Sequence, residues 1–431
     1  MKSIQQLKQS LADGVYDQML SHLYCRPISQ LQPYRERIIR VTEGYQATFG
    51  KDDTARVSIF SAPGRTEIGG NHTDHQQGKV LAGSVDLDAL ACAAPNDTTT
   101  VRICSEGYGI ISVDAAELTP IKGEENTTAA LIRGILAGIH ELGCPICGFD
   151  AYVISDVPGG SGLSSSACFE VLIGTVINGL FCGSKLSMAS IARIGQYAEN
   201  GYFGKPSGLL DQMGCALGGI VAIDFHKKDS PAVRAVEFDF ASAGYALCIV
   251  DTGADHADLT DDYAAVPTEM KAVAACFGKN VLSEVDEADF YTALPAVREK
   301  VGDRAVLRAV HYYGDCKRVE QQAAALEAGD FDAFLALVNE SGKSSFTYLQ
   351  NITTYRSPAE QPVAVTLAVA EHLLNGRGAS RVHGGGFAGT IQAFVPLDLV
   401  PQFRQGMDAL LGEGACRVTS IRPVGGCTIA D

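Results

Sequence analysis

The chain has 431 residues, 46% of them apolar and 19% charged, a composition that supports a buried core and excludes a disordered chain. Lys and Arg total 34 against 50 Asp and Glu, and the formal charge of −16 sets most of the surface against nucleic acid and anionic membranes. A small anionic ligand stays open, because a local cluster of backbone N–H groups binds it whatever the global sign.

In chain order, residues 1–20 hold no apolar run of signal-peptide length, and the first fifty residues read as helical up to Phe49-Gly50. Arg56 to Phe60 reads as a strand entering Ala62-Pro63-Gly64, followed by strands at Thr100 to Cys104 and Phe149 to Val157, with a helix over Thr127 to His140 between them. Roughly 255–380 is helical and loop-rich. Strands at Thr390 to Val395 and Val418 to Pro423 then bracket a helix over Leu397 to Leu411. This mixed order, without strict βα alternation, predicts an α+β fold of two lobes. The expected division is an N-terminal domain over 1–230 and a C-terminal domain over 231–431. The thirteen cysteines are scattered through apolar segments, as expected of free thiols in a reducing compartment, so a cytoplasmic location is expected. Cys144 and Cys147 form one CxxC with no second pair at zinc-ligand spacing. No apolar stretch reaches about 18 residues, so no bilayer span is expected.

The most informative stretch is Val157-Pro158-Gly159-Gly160-Ser161-Gly162-Leu163-Ser164-Ser165-Ser166-Ala167. It follows a strand and precedes Phe169, Leu172, Ile173, Val176, Ile177 and Leu180, which share one helix face. Strand, glycine loop and helix N-terminus together form a place where orphan N–H groups and the helix dipole suit phosphate. The same residues also read as a glycine-rich turn with serine caps. GxxxxGK[ST] does not occur, since ahead of Gly342-Lys343-Ser344 the required glycine position holds Leu337, and the glycine-serine loop itself is not GxGxxG.

Three further segments carry a resemblance. They are Ala62-Pro63-Gly64-Arg65-Thr66-Glu67-Ile68-Gly69-Gly70-Asn71-His72-Thr73-Asp74-His75, Ala198-Glu199-Asn200 through Gly208 and Asp211-Gln212, and Val382-His383-Gly384-Gly385-Gly386-Phe387-Ala388-Gly389. With the glycine-serine loop they resemble, in order and spacing, the motifs of the GHMP small-molecule kinases, and within them the galactokinase branch. The resemblance spans nearly the whole chain. It implies the two-lobed GHMP kinase fold with the active site between the lobes, and ATP and Mg²⁺ as cofactors. It implies a monosaccharide partner, with galactose phosphorylated at C1 as the default; neither nucleic acid nor a membrane is implied, and a monomer is compatible.

Carried over residue by residue, Asp211 resembles the catalytic aspartate and Arg65 the arginine beside it. Asn71, His72, Asp74, Gly208 and Tyr263 resemble sugar-contacting positions. Gly159, Gly160, Ser161, Gly162, Leu163, Ser164, Ser165, Ser166 and Ala167 correspond to the nucleotide loop. Ser166 and Glu199 resemble the magnesium ligands, with Ser165 the competing hydroxyl. The pattern departs from the family at Glu67, Gly69, Asn71, His75 and Ala388, where the family has asparagine, isoleucine, glutamate, tyrosine and glycine. Asn71 stands where a carboxylate usually meets the C6 end of the sugar, so kinases for galacturonate, N-acetylgalactosamine or arabinose remain alternatives, beside a non-catalytic sugar sensor.

Overall fold

A computed structural model describes residues 1–159, 162–205, 207–227, 230–253, 259–387 and 389–431. Its architecture mixes helices with two sheets, in agreement with the expected α+β class. At its centre is the antiparallel pair of strands Arg56–Gly69 and Lys79–Pro95. Nearly every residue of both strands is buried, because each sheet face is covered. Lys79–Pro95 is long enough to serve two neighbours: its second half pairs with Phe149–Ser155 and its first half with Ile220–Asp224. Among the described residues the sheet has nine strands and contains one parallel pair, Thr100–Ser105 with Phe149–Ser155.

A second, four-stranded sheet is wholly antiparallel, in the order Ala379–His383, Thr390–Pro396, Tyr245–Asp251, Cys416–Thr419. The expected strand at Val418 to Pro423 is thus shifted towards the N-terminus. The last strand, Cys427–Ala430, was not expected and returns to pair with Arg56–Gly69. Ala232–Val236 also joins the first sheet, through Ile220–Asp224. Both of these strands lie beyond residue 230, so the first sheet draws on each half of the expected 1–230 and 231–431 division.

The helix after the glycine loop, Ser165–Phe181, shows where periodicity falls short. One apolar face was expected, yet Cys168, Glu170, Thr175 and Asn178 are buried too, while Phe169 and Leu180 are only partly so. This helix is central: it packs on the first sheet and against helices Thr128–Glu141, Met188–Ala198 and Leu210–Leu217, so no face is left for water. Thr127 starts Thr128–Glu141 as an N-cap, its hydroxyl accepting from the Ala130 N–H. The expected helical region near 255–380 contains Thr260–Ala275, Asp303–Glu327, Phe331–Ser344 and Pro362–Leu374. Among the described residues no helix is long and apolar enough to cross a membrane.

Asp88, on Lys79–Pro95, joins distant parts of the chain through a fully buried carboxylate. Arg37 Nη1 donates to it at 2.6 Å, Arg422 Nη1 at 2.9 Å and the Tyr24 hydroxyl at 2.8 Å, with Ser61 as a fourth donor. Burial pushes this carboxyl up, but Arg37 and Arg422 outweigh burial and hold it below its ordinary value. Asp88→Asn leaves two guanidinium groups facing a neutral amide, and breaking such a buried pair costs about 3–5 kcal/mol. Urea denaturation of the variant is expected to show a loss of that order; an unchanged midpoint would mean that the guanidinium groups find other partners.

Candidate active site

A cavity of about 1460 Å³ is lined from both sheets: Arg65 comes from the first, and His383 and the glycines that follow it come from the second. Arg65 is only 4% exposed and cannot leave its strand for solvent. Its Nε and Nη2 lie 2.9 and 2.6 Å from Asp211 Oδ1, and its Nη1 donates to the Gly162 carbonyl. Its own N–H donates to the Leu163 carbonyl at 3.1 Å, which ties the glycine loop to the strand. Asp211 sits in the first turn of helix Leu210–Leu217, where the dipole favours a carboxylate. Its Oδ2 accepts from the Ser164 hydroxyl at 2.7 Å. Burial raises its pKa, but Arg65 and Ser164 prevail and the carboxyl lies below its ordinary value. An ionised aspartate, 39% exposed, therefore faces the cleft with a guanidinium behind it.

Gly162 and Ser164 both adopt left-handed backbone, with φ of 68° and 57°, and turn the chain into helix Ser165–Phe181. The hydroxyls of Ser164, Ser165 and Ser166 then line the cleft at the helix N-terminus. Two residues of the expected nucleotide loop do not turn their side chains to the cleft: Leu163 and Ala167 are buried in the core, because the helix start turns them towards the sheet. Gly159 is exposed and is not among the lining residues. Gly160, Ser161 and Ala388 lie outside the described residues.

Of the sugar-signature residues, Asp74, Gly208 and Tyr263 line the cleft together with His75. Gly208 lies so close to Asp74 that any Cβ there would overlap its carboxylate. Tyr263 packs against Gly385, where a Cβ would come within 2.5 Å of the ring. Burial, then Asp211 and Asp74, push its hydroxyl pKa up, so it stays protonated. His72 and Asn71 require correction. His72 turns inward, its Nε2 donating to the Gly385 carbonyl at 2.8 Å and its ring 5.2 Å from that of Tyr263. Asn71 is fully buried. Its Nδ2 donates to Glu67 Oε1 at 2.9 Å and to the Gly384 carbonyl at 2.7 Å, while Oδ1 accepts from Ser345 at 3.2 Å and Asn351 at 2.7 Å. With every side-chain donor and acceptor used, Asn71 is a framework residue behind the cleft wall.

Glu199 also turns away from the cleft wall. Its Oε1 holds Lys205 Nζ at 2.9 Å and its Oε2 accepts from Gln212 Nε2 at 2.9 Å, beside Asp211. This carboxylate holds the Lys205 ammonium, whose side chain is half exposed. Hard oxygens at Glu199 and Ser166 suit magnesium chemically. Among the described residues no three His, Cys, Asp or Glu side chains gather at one point, so such an ion would depend on hydroxyl and phosphate oxygens as well. Lys205 and His383 line the cleft but were not singled out from the sequence. The signal for Lys205 was its place in the Ala198–Gln212 stretch; for His383, its place just before three glycines.

Comparison with known proteins gives the family and the fold. The GHMP kinase N-terminal domain matches residues 130–219, and the galactokinase galactose-binding signature matches residues 43–95. A galactokinase of Streptomyces coelicolor is 30% identical over 396 residues, covering 90% of this chain and 97% of that protein. The crystal structure of Lactococcus lactis galactokinase complexed with galactose superposes with a TM-score of 0.77 at 26% identity, covering 91% of this chain and 99% of that one. Methanococcus jannaschii mevalonate kinase shares the fold, with a TM-score of 0.60 at 15% identity over 86% of this chain and 99% of its own.

His72 yields a pH test. Burial, then His75, lower its pKa to about 3, so the folded chain keeps the ring neutral. The unfolded chain protonates it below about pH 6.5, so this contribution to stability is complete above that pH and is lost as pH falls towards the folded value. Compared with His72→Gln, the wild type is expected to lose about 1 kcal/mol more stability between pH 7.5 and 5.5. Parallel stability curves for the two proteins would show that the ring protonates in place.

Proposed function

The chain belongs to the galactokinase family, and we propose that its cleft transfers the γ-phosphoryl group of ATP to the C1 hydroxyl of galactose. The observation that carries this reading is the Asp211 carboxylate, ionised by Arg65 and opened to the cleft beside the serine-lined helix N-terminus. Phosphoryl transfer needs a positioned hydroxyl and charge neutralisation more than covalent work by the protein. Asp211 accepts a hydrogen bond from the C1 hydroxyl and aims it at the γ-phosphorus. Because Arg65 makes Asp211 a weak base, its proton transfer comes late, when the new P–O bond has made the hydroxyl acidic. The proton ends on the carboxylate, and the pair of electrons from the broken P–O bond leaves with ADP.

Arg65 keeps Asp211 ionised and adds positive charge beside the group in flight. The helix N-terminus at Ser164, Ser165 and Ser166 receives the phosphates. Ser166 and Glu199 would supply oxygens to a magnesium ion, which would neutralise phosphate charge when bound. Asp74 accepts hydrogen bonds from neighbouring sugar hydroxyls, Gly208 leaves room for that carboxylate, and Tyr263 closes the side of the sugar. Asn71 acts indirectly, by holding Gly384 at the cleft edge.

Asp211→Asn keeps the size of the side chain but removes the base and the charge that faces Arg65. Turnover is expected to fall by about 10²–10⁴-fold while galactose binding, read by calorimetry, persists. Near-normal turnover would overturn the role given to Asp211. In a steady-state screen, galactose is expected to exceed galacturonate, N-acetylgalactosamine and arabinose in kcat/KM. A preference for galacturonate would replace galactose as the substrate without altering the reaction type.

A further inference from the structure

Lys205 is a cleft residue that the mechanism above leaves without a task, and its setting is specific. It follows the turn Glu199–Phe203 and Gly204, whose φ is 89°. The N–H groups of Gly204 and Lys205 donate to the Glu199 carbonyl at 3.0 and 3.1 Å, so the lysine leaves the backbone from a fixed point. Its Nζ then returns to the side chain of the same residue, 2.9 Å from Glu199 Oε1. Glu199 is only 4% exposed at the side chain, whereas Lys205 is 50% exposed. The carboxylate is therefore the fixed partner and the ammonium is the part that meets the cleft.

The ammonium is charged. A lysine side chain this exposed keeps its ordinary charge at neutral pH, and the Glu199 carboxylate anchors it. An ammonium has three donors and Glu199 takes one, which leaves donors for a ligand. The cleft wall that Lys205 lines also carries Ser164, Ser165 and Ser166 at the helix N-terminus. A fixed ammonium and an array of hydroxyl and helix N–H donors on one cleft suit a polyanion.

We propose that Lys205 binds the phosphates of the nucleotide, held in position by Glu199, an inference that rests on the kinase reading above. It gives the cleft a cation for the phosphates beyond Arg65, whose guanidinium is already engaged with Asp211 and Gly162. Glu199 then acts on the nucleotide through Lys205 when no metal ion competes for its carboxylate.

The test is calorimetric binding of a non-hydrolysable ATP analogue and of adenosine, in EDTA, to wild type, Lys205→Met and Lys205→Arg. Lys205→Met is expected to weaken the analogue by about tenfold or more, leave adenosine unchanged, and be largely rescued by Lys205→Arg. The double variant Glu199→Gln/Lys205→Met removes both charges and guards against misfolding from an unpaired buried carboxylate; it is expected to lose the same phosphate-dependent affinity. Wild-type affinity for the analogue in the double variant, or an equal loss for adenosine, would overturn the proposal and reduce Lys205 to a counter-ion of Glu199. Failure of the wild type itself to bind the analogue, with the fold intact, would instead overturn the kinase reading and this inference with it.

Discussion

Arg65 and Asp211 hold the active site together. They lie 146 residues apart, on a strand and on a helix of the first lobe. A buried guanidinium without a carboxylate would be strongly destabilising, so strand and helix are fixed relative to each other by charge as well as by packing. Helix Leu210–Leu217 comes so close that a Cβ at Gly214 would sit 2.9 Å from Arg65 Cβ. Further donors of Arg65 fasten the glycine loop through Gly162 and Leu163, and Ser164 closes the cluster on the other oxygen of Asp211. A carboxylate, an adjacent guanidinium and a helix N-terminus thus form one unit, of the preorganised kind that phosphoryl transfer needs.

A second polar unit joins the lobes. Glu67 accepts from Arg381 Nη2 at 2.8 Å and from Asn71, while Asn71 reaches Gly384, Ser345 and Asn351. The Asn71 N–H donates to Asp315 at 2.9 Å, and its carbonyl accepts from His311 Nε2 at the same distance. His383 continues the seam, meeting Thr66 and the Glu67 N–H through Nε2 and Thr390 through Nδ1. Every partner in this seam is buried, so the network sets a unique relation between the first-lobe signature loop and the glycine turn of the second sheet. The departures from the family pattern at Glu67 and Asn71 fall inside it. The carboxyl and the amide of this chain face each other across it, and Glu67 also pairs with Arg381.

How far the sequence could be read depended on the range of the interactions involved. The strand, glycine loop and helix start near 157–167 were legible because left-handed turns and helix N-termini place requirements on the residues that form them. The helix Thr128–Glu141 was legible from its helical pattern over Thr127 to His140. The strand Cys427–Ala430 was missed because four residues carry little periodicity and their partner is Arg56–Gly69, more than 350 positions away. Asn71 and His72 are expected as ligands of the sugar because they stand at sugar-contacting positions of the family motif. Adjacent residues on an irregular loop point in different directions, and only the returning chain at Gly384 and Gly385 shows which ones it covers.

By itself, the sequence determined the class of chemistry: ordered motifs around Arg65, Ser164, Asp211 and Gly384, and a net charge of −16 that leaves anion binding to local donors. The reason is that such motifs are local backbone and side-chain requirements, met within a few residues. Tertiary structure alone decided which of those side chains reach the cleft. It turned Asn71 inward, set Lys205 on Glu199 and brought His383 against Thr66, because each of those contacts depends on how separate segments pack.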